Sequence, residues 1–368
     1  MSISREFEAK RVRISDYLTD RGLEAAFLKR QDRFAWASCG SANYVNTATE
    51  AGTAVLYVPI DGDPAVITTN IEATRISAEE PIAEIAEIRR YPWHDSAGAA
   101  RLARELAAGH KAVADFPLEF AHELEPDFDE LRYSLLAEEV DRLETLAADC
   151  GAVIEKTAMN VEPGTTELNV AGDLSRECWS LGIVPIVVLV AADARLSSHR
   201  HPLPTTNPAK RVVMIVLCGR RAGLIVSVTR IVHFGAPSDD LVKRHRACME
   251  VDAAAIAATR PGATMGEVFA KIQKAYARSG YPNEWELHHQ GGPCGYATRD
   301  FVAARGDGRK IVPNQAFAWN PSITGTKTED TILATTGGAR ILSASANWPL
   351  VEIESLGRNI PRPAILTR

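Results

Sequence analysis

The sequence predicts a two-domain chain of mixed α/β (α+β) class, and three observations carry that prediction. Its 368 residues exceed the roughly 100–200 that one domain usually takes. Short apolar runs alternate with helical patterns over the first third. From Ala137 the pattern changes to paired helices followed by long strands, and this arrangement occurs twice. The boundary is placed after Leu136, giving domains 1–136 and 137–368.

Within the first domain, Phe7, Val12, Ile14 and Leu18 recur at helical spacing and Gly22 stops the helix. Apolar runs at 24–29, 52–60, 64–69 and 111–116 read as strands, and the IDGDP segment joining the middle pair reads as a hairpin turn. A helical pattern occupies 98–109, and the acidic stretch 118–136 reads as an irregular connection.

The second domain opens with a long helical stretch from Ala137, ended by VEPGTT, and a second helix follows. Strands are predicted at 184–192, 211–218 and 223–232. Helices follow at about 238–259 and 264–279. Strand-like runs then return in EWELHH, QAFAWNP, DTILAT and WPLVEI. The repeat is anchored at Pro163-Gly164-Thr165-Thr166 and Pro261-Gly262-Ala263-Thr264, with Gly182 and Gly280 as second landmarks. The offset is 98 residues at both, 163 to 261 and 182 to 280. Pro ends one helix, Gly turns the chain and Thr caps the next. Two such halves can pack their strands into one curved antiparallel sheet, helices on the convex face and a cleft on the concave one.

Composition narrows the function. Lys and Arg number 41 against 47 Asp and Glu, a net charge of −6 with no basic block, which argues against a nucleic-acid partner. The longest apolar run, Ile183 to Ala192, is half the roughly 20 residues a membrane helix needs. The N-terminal MSISREFEAKRVR shows no apolar leader core. No CxxC pair occurs among the six cysteines, so free thiols are expected, and with them a cytoplasmic location.

Several side chains could carry chemistry. His199 and His201 form an HxH and, taken alone, read as loop histidines. His288 and His289 close the EWELHH run; on a regular strand only one of them could enter a site. Gly291 to Gly295, GGPCG, reads as a tight turn offering backbone N–H groups to an anion. TKTEDT, around Glu329, alternates charged and small residues as a solvated strand would. Cys218 and Cys294 have no base placed beside them and read as inert thiols.

In this layout the chain resembles the pita-bread family of methionine aminopeptidase, prolidase, Xaa-Pro aminopeptidase, creatinase and ectoine hydrolase. The resemblance covers nearly the whole chain and is strongest over 195–235 and 284–335. It implies a creatinase-type N-terminal domain and a C-terminal pita-bread domain with a pseudo-twofold repeat. The metallopeptidases of that family hold two metal ions with Asp, Asp, His, Glu and Glu. Aligned on Thr229-Arg230, the two Asp positions are Val216 and Ser227. The His position in the glycine turn is Gly292, the first Glu position is Asn320, and only Glu329 keeps its carboxylate. One ligand in five cannot hold a di-metal centre, so no metal or other cofactor is expected.

The resemblance to creatinase supplies the remaining expectations. A proton-shuttling His seventeen residues before Val216 is His199, with Glu329 orienting a substrate nitrogen and Asn320 binding a carbonyl or its oxyanion. His201, His288, His289, Gly292, Tyr296, Arg299 and Trp319 are candidates for lining the substrate site. Arg299 stands where the family has a second His, and Arg230 reads as a structural partner of a carboxylate. The expected activity is metal-independent hydrolysis of a C–N bond, in an amide, amidine, urea or cyclic analogue, within a small polar nitrogen-containing molecule. The alternatives are a lyase, a Xaa-Pro peptidase-like enzyme with altered metal ligands drawn from the histidines, and a non-catalytic binding protein. The resemblance also implies a homodimer.

Overall fold

The computed structural model describes residues 3–368; Met1 and Ser2, the start of the segment read above for a leader, lie outside the described residues. The chain divides into two compact units, Met1–Arg132 and Tyr133–Arg368. The division falls four residues before the predicted boundary, where the segment read as an irregular connection instead forms a short strand and a 3-10 helix, Pro126–Arg132.

In the first unit, helix α1 (Ile3–Asp20) precedes β1 (Ala25–Arg30), α2 (Gln31–Ala37), β2 (Ala51–Pro59) and β3 (Ala65–Thr69). Then come α3 (Ala73–Glu79), β4 (Glu87–Tyr91), α4 (Gly98–Ala107), β5 (Ala112–Ala114) and β6 (Ala121–Glu123). The strands form one mixed sheet in the order β4-β3-β2-β1-β5-β6. β2 and β3 are antiparallel across the predicted IDGDP hairpin, where Gly62 takes a φ of +97°. Phe27, Val55, Tyr57, Ile67 and Ala114 make the core on one face of this sheet.

The second unit holds the repeat. Its first half is α5 (Ala137–Asn160), α6 (Glu167–Ser180), β7 (Val184–Ala192), the four-residue α7 (Arg195–Ser198), β8 (Val212–Arg221) and β9 (Leu224–His233). Its second half is α8 (Asp239–Ala258), α9 (Met265–Arg278), β10 (Gly291–Cys294) and β11 (Gln315–Trp319), then the hairpin β12 (Ser322–Ile323) and β13 (Thr326–Lys327), and β14 (Asp330–Thr335). Four further strands close the chain: β15 (Gly338–Ile341), β16 (Leu350–Ser355), β17 (Arg358–Pro363) and β18 (Leu366–Thr367).

The landmarks of the repeat match in detail. Thr166 and Thr264 each accept an N–H from the third residue of the following helix, Asn169 and Glu267, both at 3.2 Å. Gly164 and Gly262 both sit at positive φ, +94° and +87°, where a side chain would be strained. The strands form two four-stranded sheets, β18-β9-β8-β7 and β10-β11-β14-β15. They meet at an antiparallel bridge between Thr229 and Glu329, and the side chain of Thr331 accepts the Ser227 N–H and donates to the Ser227 carbonyl across the same seam. Apart from β18, which runs parallel to β9, both sheets are antiparallel as predicted. Helices α5 and α6 pack on the first sheet. On the second, Val251, Ala254, Ile272 and Tyr276 of α8 and α9 share a core with Phe317, Trp319 and Ile332.

Two predicted elements differ. EWELHH is not a strand: Glu284–Leu287 is a 3-10 helix. GGPCG is not a free turn: Gly291–Cys294 is the edge strand β10, paired with β11 through Gly292 opposite Ala318 and Pro293 opposite Phe317. Pro is tolerated there because an edge strand has one side without ladder partners.

Candidate active site

The site is assembled where the two sheets meet. Arg200 pins the chain that follows α7, donating to Ser322 Oγ at 3.0 Å and Thr324 Oγ1 at 3.0 Å and pairing with Glu284 at 2.5 Å. This attaches the segment to the 3-10 helix and to the β12–β13 hairpin. The next residue, His201, is thereby brought to His288, with the two Nε2 atoms 3.0 Å apart. His288 Nδ1 lies 3.3 Å from Ser322 Oγ. Beneath, Tyr276 donates to Gln290 Oε1, and Gln290 donates to the His288 carbonyl.

His289 joins the same group. Its Nδ1 accepts the Gly291 N–H at 3.3 Å, and the His288 and His289 ring centroids are 4.6 Å apart. One ring nitrogen from each of His201, His288 and His289 lies within 4.8 Å of the others. Both members of the dipeptide therefore enter the site. The expectation that only one could fails because His288 caps a 3-10 helix and Gly291, at φ +93°, follows, so no regular pleat separates them.

Beside the imidazoles is a buried charge cluster. Glu329 Oε1 accepts from Arg299 at 2.9 Å, and Oε2 accepts from Thr229 Oγ1 at 2.8 Å and Lys327 Nζ at 2.9 Å. Glu329 and Lys327 are only 2% and 4% exposed, so water does little to screen the pair. One carboxylate facing two cations leaves a net positive charge.

This arrangement shifts the titrating groups. Burial, then the Lys327 ammonium, pushes His288 down to about 2. Burial and Arg299 push His289 down to about 4, and burial also lowers His201. Burial alone would raise Glu329, but Lys327 and Arg299 outweigh it and hold the carboxyl near 2. Burial raises the Cys218 thiol, and lifts Cys294 to about 12.

Several predicted site residues lie elsewhere. His199 is exposed at the end of α7, and the three-imidazole group contains His201 in its stead. A position found by counting back from Val216 is correct only if the intervening loop keeps its length. Trp319 is fully buried in the α8–α9 core, stacked on Phe317, with its indole N–H donated to Thr259 Oγ1 at 2.9 Å. Tyr296 is also buried and donates to Glu139 Oε1 of α5 at 2.7 Å. Gly292 faces the 297–303 loop, and a Cβ there would lie 2.4 Å from the Phe301 carbonyl oxygen. Asn320 is 3% exposed, and its Oδ1 has no hydrogen-bond partner among the described residues. Arg299 lies beside the imidazole group, with its guanidinium engaged by Glu329. Arg230 and Asp330 pair at 2.9 Å within the core.

Lys327, Arg200 and Ser322 do not stand out in the sequence as site residues. Lys327 and Glu329 stand two apart in an extended segment, which puts both on one face; that spacing is the one signal the sequence offers.

The family's two-metal centre does not fit these residues. Val216 is packed with Leu189, Met214 and Ile231. Ser227 supplies a hydroxyl, 3.2 Å from Cys218 Sγ. Gly292 has no side chain, and both oxygens of Glu329 are held by cations and Thr229.

Comparison with known proteins agrees with the fold. The profile of metallopeptidase family M24 matches residues 141–342. The Xaa-Pro dipeptidase of Lactobacillus helveticus is 23% identical over 279 residues, covering 72% of this chain and 75% of that protein. Among solved structures, the Xaa-Pro dipeptidase from Bacillus anthracis superposes with a TM-score of 0.78 at 17% identity, over 98% of this chain and 100% of that one. The prolidase from Pyrococcus horikoshii OT3 gives 0.77 at 15% identity, over 91% and 98%.

Proposed function

The chain belongs to metallopeptidase family M24, and from that premise we propose that it is a hydrolase that cuts a C–N bond in a small polar nitrogen-containing molecule without the family's pair of metal ions. The observation that carries this reading is the 3.0 Å contact between His201 and His288 beside a net-positive Arg299–Lys327–Glu329 cluster. A hydrolase lacking metal must still deprotonate water and protonate a poor nitrogen leaving group, and imidazole can do both near neutral pH.

The two histidines divide that work. With His201 Nε2–H donated to His288 Nε2, the other nitrogen of the exposed His201 ring is free to take a proton from water. The imidazolium that forms keeps its hydrogen bond to His288, whose ring is braced by Ser322. His288 thus positions His201, as the third member of a triad positions a catalytic base. The proton then passes to the leaving nitrogen. Glu329 does not orient the substrate, because its oxygens are already engaged. It serves as the counter-charge that keeps buried Lys327 and partly buried Arg299 in place, and their surplus charge favours a substrate with a carboxylate or a developing oxyanion.

The test is a panel of amides, amidines, ureas and Xaa-Pro dipeptides, assayed with and without chelator. His201→Ala is expected to lower turnover by about 10²–10⁴, whereas His199→Ala leaves it unchanged. Near-wild-type turnover in His201→Ala removes the imidazole from the chemistry. Cleavage of Xaa-Pro dipeptides that vanishes with chelator and returns with added metal replaces this reading by a peptidase with an altered metal set.

A further inference from the structure

Three imidazoles on two separate segments converge on one point. His201 comes from the segment after α7, and His288 and His289 from the approach to β10. The ring nitrogens range from a 3.0 Å pair to a spread of 4.8 Å. Zn–N bonds of about 2.0–2.1 Å in a tetrahedron need nitrogens about 3.3 Å apart. The existing pair must open by a few tenths of an ångström and the third nitrogen must close in. His201 is exposed and can turn toward that geometry, while His288 is fixed by Ser322 in the way an outer partner orients a ligating ring.

We propose that His201, His288 and His289 form a capture site for a single late first-row divalent cation, with Zn²⁺ and Cu²⁺ preferred, and that filling it silences the enzyme. Imidazole nitrogens without a carboxylate in the set select these ions over Mg²⁺ or Ca²⁺. The site is not the family's: none of the three histidines occupies the positions of Val216, Ser227, Gly292, Asn320 or Glu329. The silencing, but not the binding, rests on the function proposed above, because a metal on His201 takes the lone pair that general-base catalysis requires.

The test uses the full chain, stripped with chelator and titrated with Co²⁺. The expected result is the visible d–d absorption of a four-coordinate ion saturating at about one equivalent, lost on addition of Zn²⁺. His289→Asn and His201→Ala should weaken binding by at least about 100-fold, since loss of an outer partner alone costs about 10–100-fold. His199→Ala should bind as the wild type does. His288 is buried and its replacement could disturb folding, so the two more accessible ligands decide the outcome. Absence of Co²⁺ absorption, or binding retained in both variants, overturns the site. Turnover raised by stoichiometric Zn²⁺, with the absorption intact, overturns the silencing and the metal-free mechanism together.

Discussion

Replacing Glu329 by Gln tests whether the charge cluster is as tightly coupled as its geometry requires. The amide keeps the shape of the side chain and removes its charge, leaving Lys327 and Arg299 without their counter-ion. Lys327 is 4% exposed, so it cannot recover hydration without local opening. The carboxyl is held near 2 against an ordinary 4.5; at 1.36 kcal/mol per pH unit that is about 3 kcal/mol. Breaking a buried ion pair typically costs about 3–5 kcal/mol, in agreement. For a unit of this size the change lowers the melting temperature by about 6–12 °C. Adding Lys327→Met should restore much of it, because an apolar side chain then replaces the stranded cation. The sign with pH is set by the depressed value. The Glu329 contribution is fully present above 4.5 and is lost as pH falls toward 2. The gap between wild type and Glu329→Gln, measured by urea denaturation, should therefore shrink across that window. A single variant within about 1 kcal/mol of wild type at pH 7, or a gap constant down to pH 3, would refute the coupling, since about 3 kcal/mol is required.

Other outcomes follow from the same structure. Gly291→Ala places a Cβ 2.1 Å from the Ala318 carbonyl oxygen at φ +93°, whereas Gly262→Ala at φ +87° meets nothing within 4 Å among the described residues. The second should lose about 1–2 kcal/mol and the first markedly more; equal thermal shifts would contradict the backbone approach. Thr264→Ala removes a capping box and should lose about 1 kcal/mol by denaturant melt. Burial lifts Asp115 from 3.8 to about 6, so its share of stability, about 3 kcal/mol, is present below pH 4 and lost as pH rises through 6. Asp115→Asn should flatten the first unit's stability over that range, and an unchanged slope would refute the shift.

The framework of the second unit is legible in the sequence because it repeats. Two PG–Thr turns signal the same helix start twice and two matching glycines the same helix end, and the strand predicted at 184–192 is Val184–Ala192. The site is legible only in part. The positions compared with the family's ligands can be named one by one, by counting from Thr229-Arg230 and from the glycine run. Which histidine reaches the centre cannot, because loop length decides between His199 and His201. Lys327 is hidden for a different reason: an alternating TKTEDT segment has the same pattern whether its charged face meets water or a buried partner. The helix start at Glu284 is masked by its apolar neighbours, and with it the geometry that turns both His288 and His289 toward one point.

The packing of the 297–303 loop against β10 limits what position 292 can hold. Ala303 donates its N–H to the Gly291 carbonyl and Asp300 to that of Pro293, both at 2.9 Å. The Phe301 carbonyl occupies the space where any side chain at position 292 would begin. A histidine at 292 requires the loop to be displaced, and the loop carries Arg299, one of the two cations paired with Glu329. Position 292 and the Arg299–Glu329 pair are thus coupled through one loop. A side chain at 292 and the charge balance at Glu329 therefore cannot be changed independently, because one loop serves both.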